Sequence, residues 1–464
     1  MSHYPPSKLI SQMNVLRNED GENGGQSYQD IRVMEDEREW LASMEVKVNQ
    51  SPRLLSKLAG KKSCCIFRVP QSLVEINKKA YQPRIVSMGP YHHGKEHLKM
   101  IQEHKWKYLG AMLNRTRNHG VEFKDLYAVI KSMEQQIREC YSETIQIKSC
   151  ELIEMMVLDG CFVIELFSIV GKLVQGNLDD PIFTMSWVFP FFTRDFLRLE
   201  NQIPYFVLEA LFELTVLGSR RNNPPTLAKL ALEFFNYMVQ RDVEVLEQYY
   251  NLTAKHLLDL FRLSFINSSQ ETTREISPFL HLIPSAKKLH LAGIEFKPRK
   301  TSSFLDIDFR NGVLEIPPLT IDDFTSSVFL NCVAYEQCYR YCTKHITTYA
   351  TLMGCLINTP GDAGFLSDQK IIENYFGTDE EVARFFNNVG KDVAFDIQRN
   401  YLSELFEGVN EHYRNNWYVR WASFKHTYFD TPWSFMSAVA ALILLLLTMV
   451  QAFFAVYAYV LPAK

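Results

Sequence analysis

Four histidines fall within 13 residues of the stretch "YQPRIVSMGPYHHGKEHLKMIQEHKWKY": His92, His93, His97 and His104. Imidazoles at such density suggest metal ligation or proton transfer. His93 and His97 are four apart and His104 lies seven further on, so one helix carrying all three would align them along one face. Gly94 opposes that arrangement because it places His92 and His93 in a turn before the helix. No cysteine or acidic set stands nearby at zinc-ligand spacing. The sequence therefore assigns no metal, and His93, His97 and His104 are the only trio retained as candidates.

A second chemistry would pair Cys161 with one of these histidines as nucleophile and base. Cys161, however, sits in the most apolar segment of the chain, where a thiol is buried and inert. The third constellation is "RLENQIPYF", in which Glu200, Asn201 and Gln202 precede Ile203-Pro204. These side chains could line a polar pocket, or they could satisfy backbone groups freed where a proline breaks a helix; the second reading is preferred. The acidic runs "DIDF" and "TIDDF" lack the alternation and glycine of a calcium loop. Phosphate-binding glycine loops, a GxSxG elbow and HExxH are absent. No catalytic or cofactor-binding residue is assigned, and no cofactor is expected.

The elements that must hold these residues are mostly helical. Leu98, Ile101, Tyr108, Leu109, Met112 and Leu113 recur at helical spacing after the histidine turn. "SCELIEMMVLDGCFVIELFSIVGKL" is apolar nearly all round, yet Glu151, Glu154, Asp159 and Glu165 mark it as a central core helix rather than a membrane span. "RDFLRLENQIPYFVLEALFEL" predicts a helix interrupted near Pro204, and "TLAKLALEFFNYMVQRDVEVLEQYYN" another. In "FLDIDFRNGVLEIPPL", Asn311-Gly312 predicts a hairpin with Phe309 opposite Leu314, Ile307 opposite Ile316, and Asp308 and Glu315 on the other face. Thr378 and Glu381 stand at capping-box spacing before Val382, Phe385 and Phe386.

The chain has 464 residues, 47% of them hydrophobic, and a net charge of -4, so it can bury a large core and has no basic excess for nucleic acid. Nine cysteines without a paired framework read as reduced thiols. Thr431 to Ala463 carries no charged side chain. Trp433 and Phe435 at one end of that stretch, and Tyr457 and Tyr459 at the other, suit the two interfaces of a bilayer. With Arg414, Arg420 and Lys425 upstream, the expectation is a single-pass, tail-anchored protein whose large domain faces the cytosol.

Taken together, "FRVPQSL", "AYQPRIVSMGPYHHG", "MMVLDGCFVIELF", "DFLRLENQIPYFVLEALFEL", "FLDIDFRNGVLEIPPL" and "YFDTPWSFMSAVAALILLLLTMVQAFF" resemble, in order, the plant family known as "domain of unknown function 247". Pro360 and Gly361 in "LINTPGDAGFL" depart from the more regular acidic stretch expected there. The resemblance implies a mostly helical domain with one C-terminal membrane helix and no agreed catalytic residues. It also implies, from relatives linked to pollen self-incompatibility, a role in recognition rather than catalysis.

The expected architecture is mainly α with a small β-hairpin or sheet and one C-terminal transmembrane helix. The expected organisation is a flexible polar leader over 1–36, a helical soluble domain over 37–428 with an internal break near 266–278, and a transmembrane helix over 431–461. The expected function is membrane-anchored recognition or signalling through an unknown protein partner, at the plasma membrane and without nucleic acid. The alternative is an enzyme of unknown class with a pocket near GPYHHG or LENQIP.

Overall fold

Residues 152 to 168 supply the buried centre of the molecule: Leu152, Ile153, Met156, Val157, Phe162, Val163, Ile164, Leu166 and Phe167 are each wholly inaccessible to solvent. A segment apolar on every side is stable in water only when other elements surround it. The computed structural model describes residues 28–50, 52, 54–177, 179–217, 224–267, 281–390, 393–394, 400–414 and 432–460. The chain divides into two units, Met1–Ser56 and Lys57–Lys464.

In the first unit the described element is helix α1, Tyr28–Asn49. It begins inside the stretch read as a leader, whose residues 1–27 lie outside the described residues. Trp40, Leu41 and Val46 on it are exposed.

In the second unit the longer helices are α2 (Lys99–Thr116), α3 (Phe123–Ser132), α4 (Ser149–Val170), α5 (Val188–Asp195), α6 (Tyr205–Phe212), α7 (Leu227–Val239) and α8 (Leu257–Leu263). They are followed by α9 (Asp323–Cys338), α10 (His345–Leu356), α11 (Pro360–Asp368), α12 (Asp379–Val389), α13 (Ser403–Arg414) and α14 (Pro432–Val460). Helix α4 is packed by α2, α3, α6 and α7. Gly160 permits the approach of α6, since a Cβ there would lie 2.5 Å from Leu211 Cδ1. The four acids of α4 divide by environment. Glu151 and Glu154 are exposed in its first turns, while Asp159 and Glu165 are buried and paired with Lys105 and Arg115 of α2.

The hairpin forms with the expected register. Strands β2 (Asp308–Arg310) and β3 (Val313–Ile316) pair antiparallel, with Phe309 opposite Leu314 and Asp308 opposite Glu315. Asn311 and Gly312 both take positive φ, 52° and 80°, as the two-residue turn requires. Ile307 lies just outside the strand. The sheet is larger than a hairpin, because β1 (Glu295–Pro298) adds parallel to β3, giving the order β1-β3-β2. A second sheet pairs β4 (Leu319–Ile321) parallel with β5 (Ile372–Asn374).

Helix starts follow local chemistry. Thr378 and Glu381 form the expected capping box of α12. Pro360 occupies the first turn of α11, where its missing N–H costs nothing, and Thr359 with Asp362 closes a second capping box. Helix α14 contains a window of 18 residues, Val439–Val456, apolar enough to cross a membrane and with no buried residue. That burial pattern is the opposite of α4. The proposed break near 266–278 falls mainly outside the described residues, as do the flanking cations Arg420 and Lys425.

Candidate functional site

The two sequence motifs that invited a chemical reading meet at Glu200. Its Oε2 lies 3.0 Å from Arg68 Nη1 and 3.2 Å from His92 Nε2, and its Oε1 accepts the Val69 amide at 2.9 Å. His92 is buried in the turn ahead of α2, and its Nδ1 lies 2.7 Å from Lys95 Nζ. Lys95 has no lone pair to offer when charged, so Nδ1 accepts and Nε2 carries the proton toward Glu200. Burial, joined by the Lys95 charge and opposed by Glu200, holds the His92 pKa below its ordinary value. Burial would raise the Glu200 carboxyl, but His92, the Val69 amide and Arg68 outweigh it and hold the carboxylate below its usual range. Arg68 also reaches Glu143 at 3.2 Å and sits over the Tyr91 ring at 4.1 Å.

This is a chain of charges in which His92 Nδ1 is hydrogen-bonded to Lys95, while Nε2 stands at ion-pair distance from Glu200 without the geometry of a hydrogen bond.

The rest of "RLENQIPYF" serves the backbone. Asn201 Oδ1 accepts the Met88 amide at 2.7 Å, and its Nδ2 donates to the carbonyls of Asp195 at 2.9 Å and Val86 at 3.1 Å. Gln202 Nε2 donates to the Phe196 and Arg198 carbonyls, and its Oε1 accepts the Leu258 amide. Asp195 collects the successive amides of Arg84, Ile85 and Val86 and pairs with Arg198 Nε at 2.8 Å. Arg198, Ser327 and Asn331 all donate to the Ala80 carbonyl. Side chains before Pro204 thus satisfy backbone groups of the 80–88 segment, of the end of α5 and of α8, as buried polar groups require.

Gly89 shows how closely the two motifs are fitted. Its φ is +68°, and an added Cβ would stand 2.6 Å from the Gln202 carbonyl oxygen and 2.9 Å from the Tyr141 hydroxyl. Its amide donates to Asp159 Oδ2 at 2.8 Å. Asp159 Oδ1 takes the Lys105 ammonium, which also donates to the Ser87 carbonyl.

The histidine trio does not converge. His93 is exposed in the turn, and His97, in a 3-10 turn, places Nε2 3.3 Å from the Pro83 carbonyl. His104 is half-buried on α2. Among the described residues no group of three or more histidine, cysteine or acidic side chains is placed to hold a metal ion. Cys161 is wholly buried, and burial pushes its thiol well above the ordinary range.

A cavity of about 590 Å³ lies away from both motifs, bounded by the end of α7, α8, the chain before β4 and helix α9. Sequence reasoning missed it because its lining comes from six separated stretches, none with a motif of its own. It also missed the buried pair Lys105 and Asp159 and the carboxylate of Asp195. Only the acids inside otherwise apolar segments hinted that cations had to meet them.

The family model described as a plant protein of unknown function, DUF247, matches residues 66–447. The chain is 42% identical over 440 residues to the UPF0481 protein At3g47200 of Arabidopsis thaliana, covering 90% of this chain and 91% of that one. It is 25% identical over 484 residues to the putative UPF0481 protein At3g02645 of the same plant, covering 84% and 90%. No solved structure matches the chain.

Proposed function

Because the chain belongs to the DUF247 family of plant proteins, we propose that it is a membrane-anchored recognition protein that binds a protein partner and performs no chemistry at the GPYHHG and LENQIP motifs. Helix α14 supplies the anchor in this reading, with the soluble body on the cytosolic face of the plasma membrane. The anchor reading rests on the contrast between two apolar helices: α4 is buried at every residue from Met155 to Ser168, whereas Leu442, Leu444, Phe453 and Phe454 of α14 are each more than half exposed.

The recognition reading is carried by an aromatic patch around α5. Trp187 and Tyr237 are 45% and 63% exposed. Trp187 packs edge-on to Phe191 at 5.9 Å, and Phe189 packs on Tyr237 at 5.0 Å. Arg84 and Arg194 lie over the Phe191 ring at 5.5 and 5.9 Å. Clustered aromatic and arginine side chains at a surface are the composition of interface anchors. Their charge favours a partner that surrounds an apolar contact with carboxylates.

The test is chemical crosslinking of the full chain in plant membranes, comparing wild type with Trp187→Glu/Tyr237→Glu. Trp106→Glu, at an exposed tryptophan on α2, is the control. Loss of a defined crosslinked species from the double variant alone is the expected result; identical species in all three proteins would remove the patch from the reading.

A further inference from the structure

The cavity away from the two motifs holds an uncompensated cation. Arg241 follows α7 and lines the cavity together with Phe261, Phe265, Phe304, Phe324 and Phe329. Its Nη1 donates to the Ser264 carbonyl and its Nη2 to Ser264 Oγ, both at 2.8 Å. The guanidinium lies 4.1 Å from the centre of the Phe265 ring. A guanidinium has five N–H donors, and these two bonds use two of them. Nε is buried without an acceptor. Among the described residues no carboxylate lies within ion-pair distance of Arg241, and burial pushes its pKa down to about 10, so it remains charged at neutral pH.

The other charged groups on the cavity wall are engaged. Arg262 is bound by Asp259 and Glu336 at 3.1 and 3.2 Å. Asp322 caps α9 by accepting the Thr325 amide at 2.7 Å, and Glu373 accepts from Thr320 Oγ1 at 2.9 Å. Arg241 is half-buried, and a charge partly withdrawn from water without a counter-charge is costly. An anion entering the cavity would supply the missing partner, and the phenylalanines would take an aromatic body. The cavity volume falls within the roughly 300 to 1,000 Å³ typical of small-molecule sites.

We propose that this cavity binds a small aromatic carboxylate, with the carboxylate paired to the Arg241 guanidinium and the ring held among Phe261, Phe304 and Phe329. The charge gives orientation and the rings give affinity. A neutral compound of the same shape would lose the first contribution and keep the second.

Isothermal titration of the full chain in lipid nanodiscs tests this, with 2-naphthoate and 2-naphthalenemethanol as probes and empty nanodiscs subtracted. Wild type is expected to bind 2-naphthoate saturably at one site, and the alcohol at least tenfold more weakly. Arg241→Gln should weaken naphthoate at least tenfold and change the alcohol less than threefold. Absence of saturable naphthoate binding, or an unchanged affinity in Arg241→Gln, overturns the proposal. Should Arg241→Gln fail to fold by circular dichroism, Thr325→Phe fills the cavity from α9 and leaves the cation in place. It is expected to abolish binding of both probes, and retained binding overturns the proposal equally.

Discussion

Lys105 Nζ lies 2.6 Å from Asp159 Oδ1, with the two side chains 1% and 2% exposed. The pair joins α2 to α4 at the level where Gly89 and Ser87 bring in the histidine turn. Removing one member leaves the other charged and unsolvated, which typically costs about 3 to 5 kcal/mol. Lys105→Met should therefore destabilise the protein by about that amount. Lys105→Met/Asp159→Asn, which keeps an acceptor for the Gly89 amide, should recover at least about 2 kcal/mol of the loss. Denaturant unfolding of the two single variants and the double gives the coupling, and strict additivity would refute it.

Asn201 provides a second measurement. Its three bonds to the Met88, Val86 and Asp195 backbone have no substitute in Asn201→Ala. The expected loss is about 2 to 4 kcal/mol, since buried backbone groups are left unsatisfied. A change under about 1 kcal/mol in the same unfolding assay would show that water replaces the side chain.

Acid sensitivity follows from His256. Its Nδ1 accepts the Asp259 amide at the start of α8, and its Nε2 faces the Cys65 carbonyl at 3.1 Å. Burial pushes its pKa from 6.5 down to about 4. Because the unfolded chain takes up the proton first, the stability this group contributes is complete above pH 6.5 and falls as the pH drops from 6.5 toward 4. The loss is on the order of 3 kcal/mol across that window. Melting temperatures measured at half-unit steps should fall through it, and His256→Asn should flatten the slope between pH 6.5 and 4.

The anchor is tested by extraction. Full-length protein should remain in the membrane pellet after alkaline carbonate, and a variant lacking Pro432–Val460 should pass to the supernatant. Equal behaviour of the two forms would assign membrane attachment elsewhere.

Much of the helical framework was legible because it is encoded locally. The acids within an apolar run identified α4 as a core helix, Asn311-Gly312 placed the hairpin and its register, and Thr378 with Glu381 placed the start of α12. "LENQIP" was correctly read as a broken helix whose side chains serve the backbone. Strand β1 was not legible, because its pairing with β3 is parallel and rests on a four-residue match; β4 and β5 have three residues each. The cavity was invisible for a different reason. Its unpaired cation, Arg241, differs from other arginines only through what Ser264 and Phe265 place beside it.

The Ala80 carbonyl accepts Asn331 Nδ2 at 2.9 Å across 251 residues of chain. At a synthesis rate of roughly 5 to 20 residues per second, the ribosome needs roughly 10 to 50 s to make the second partner after the first. During that interval Ala80 and Tyr81, both buried in the finished protein, have nothing of α9 to close against. The nascent chain must wait with sticky surface uncovered, which makes this early segment the natural place for a chaperone to hold it.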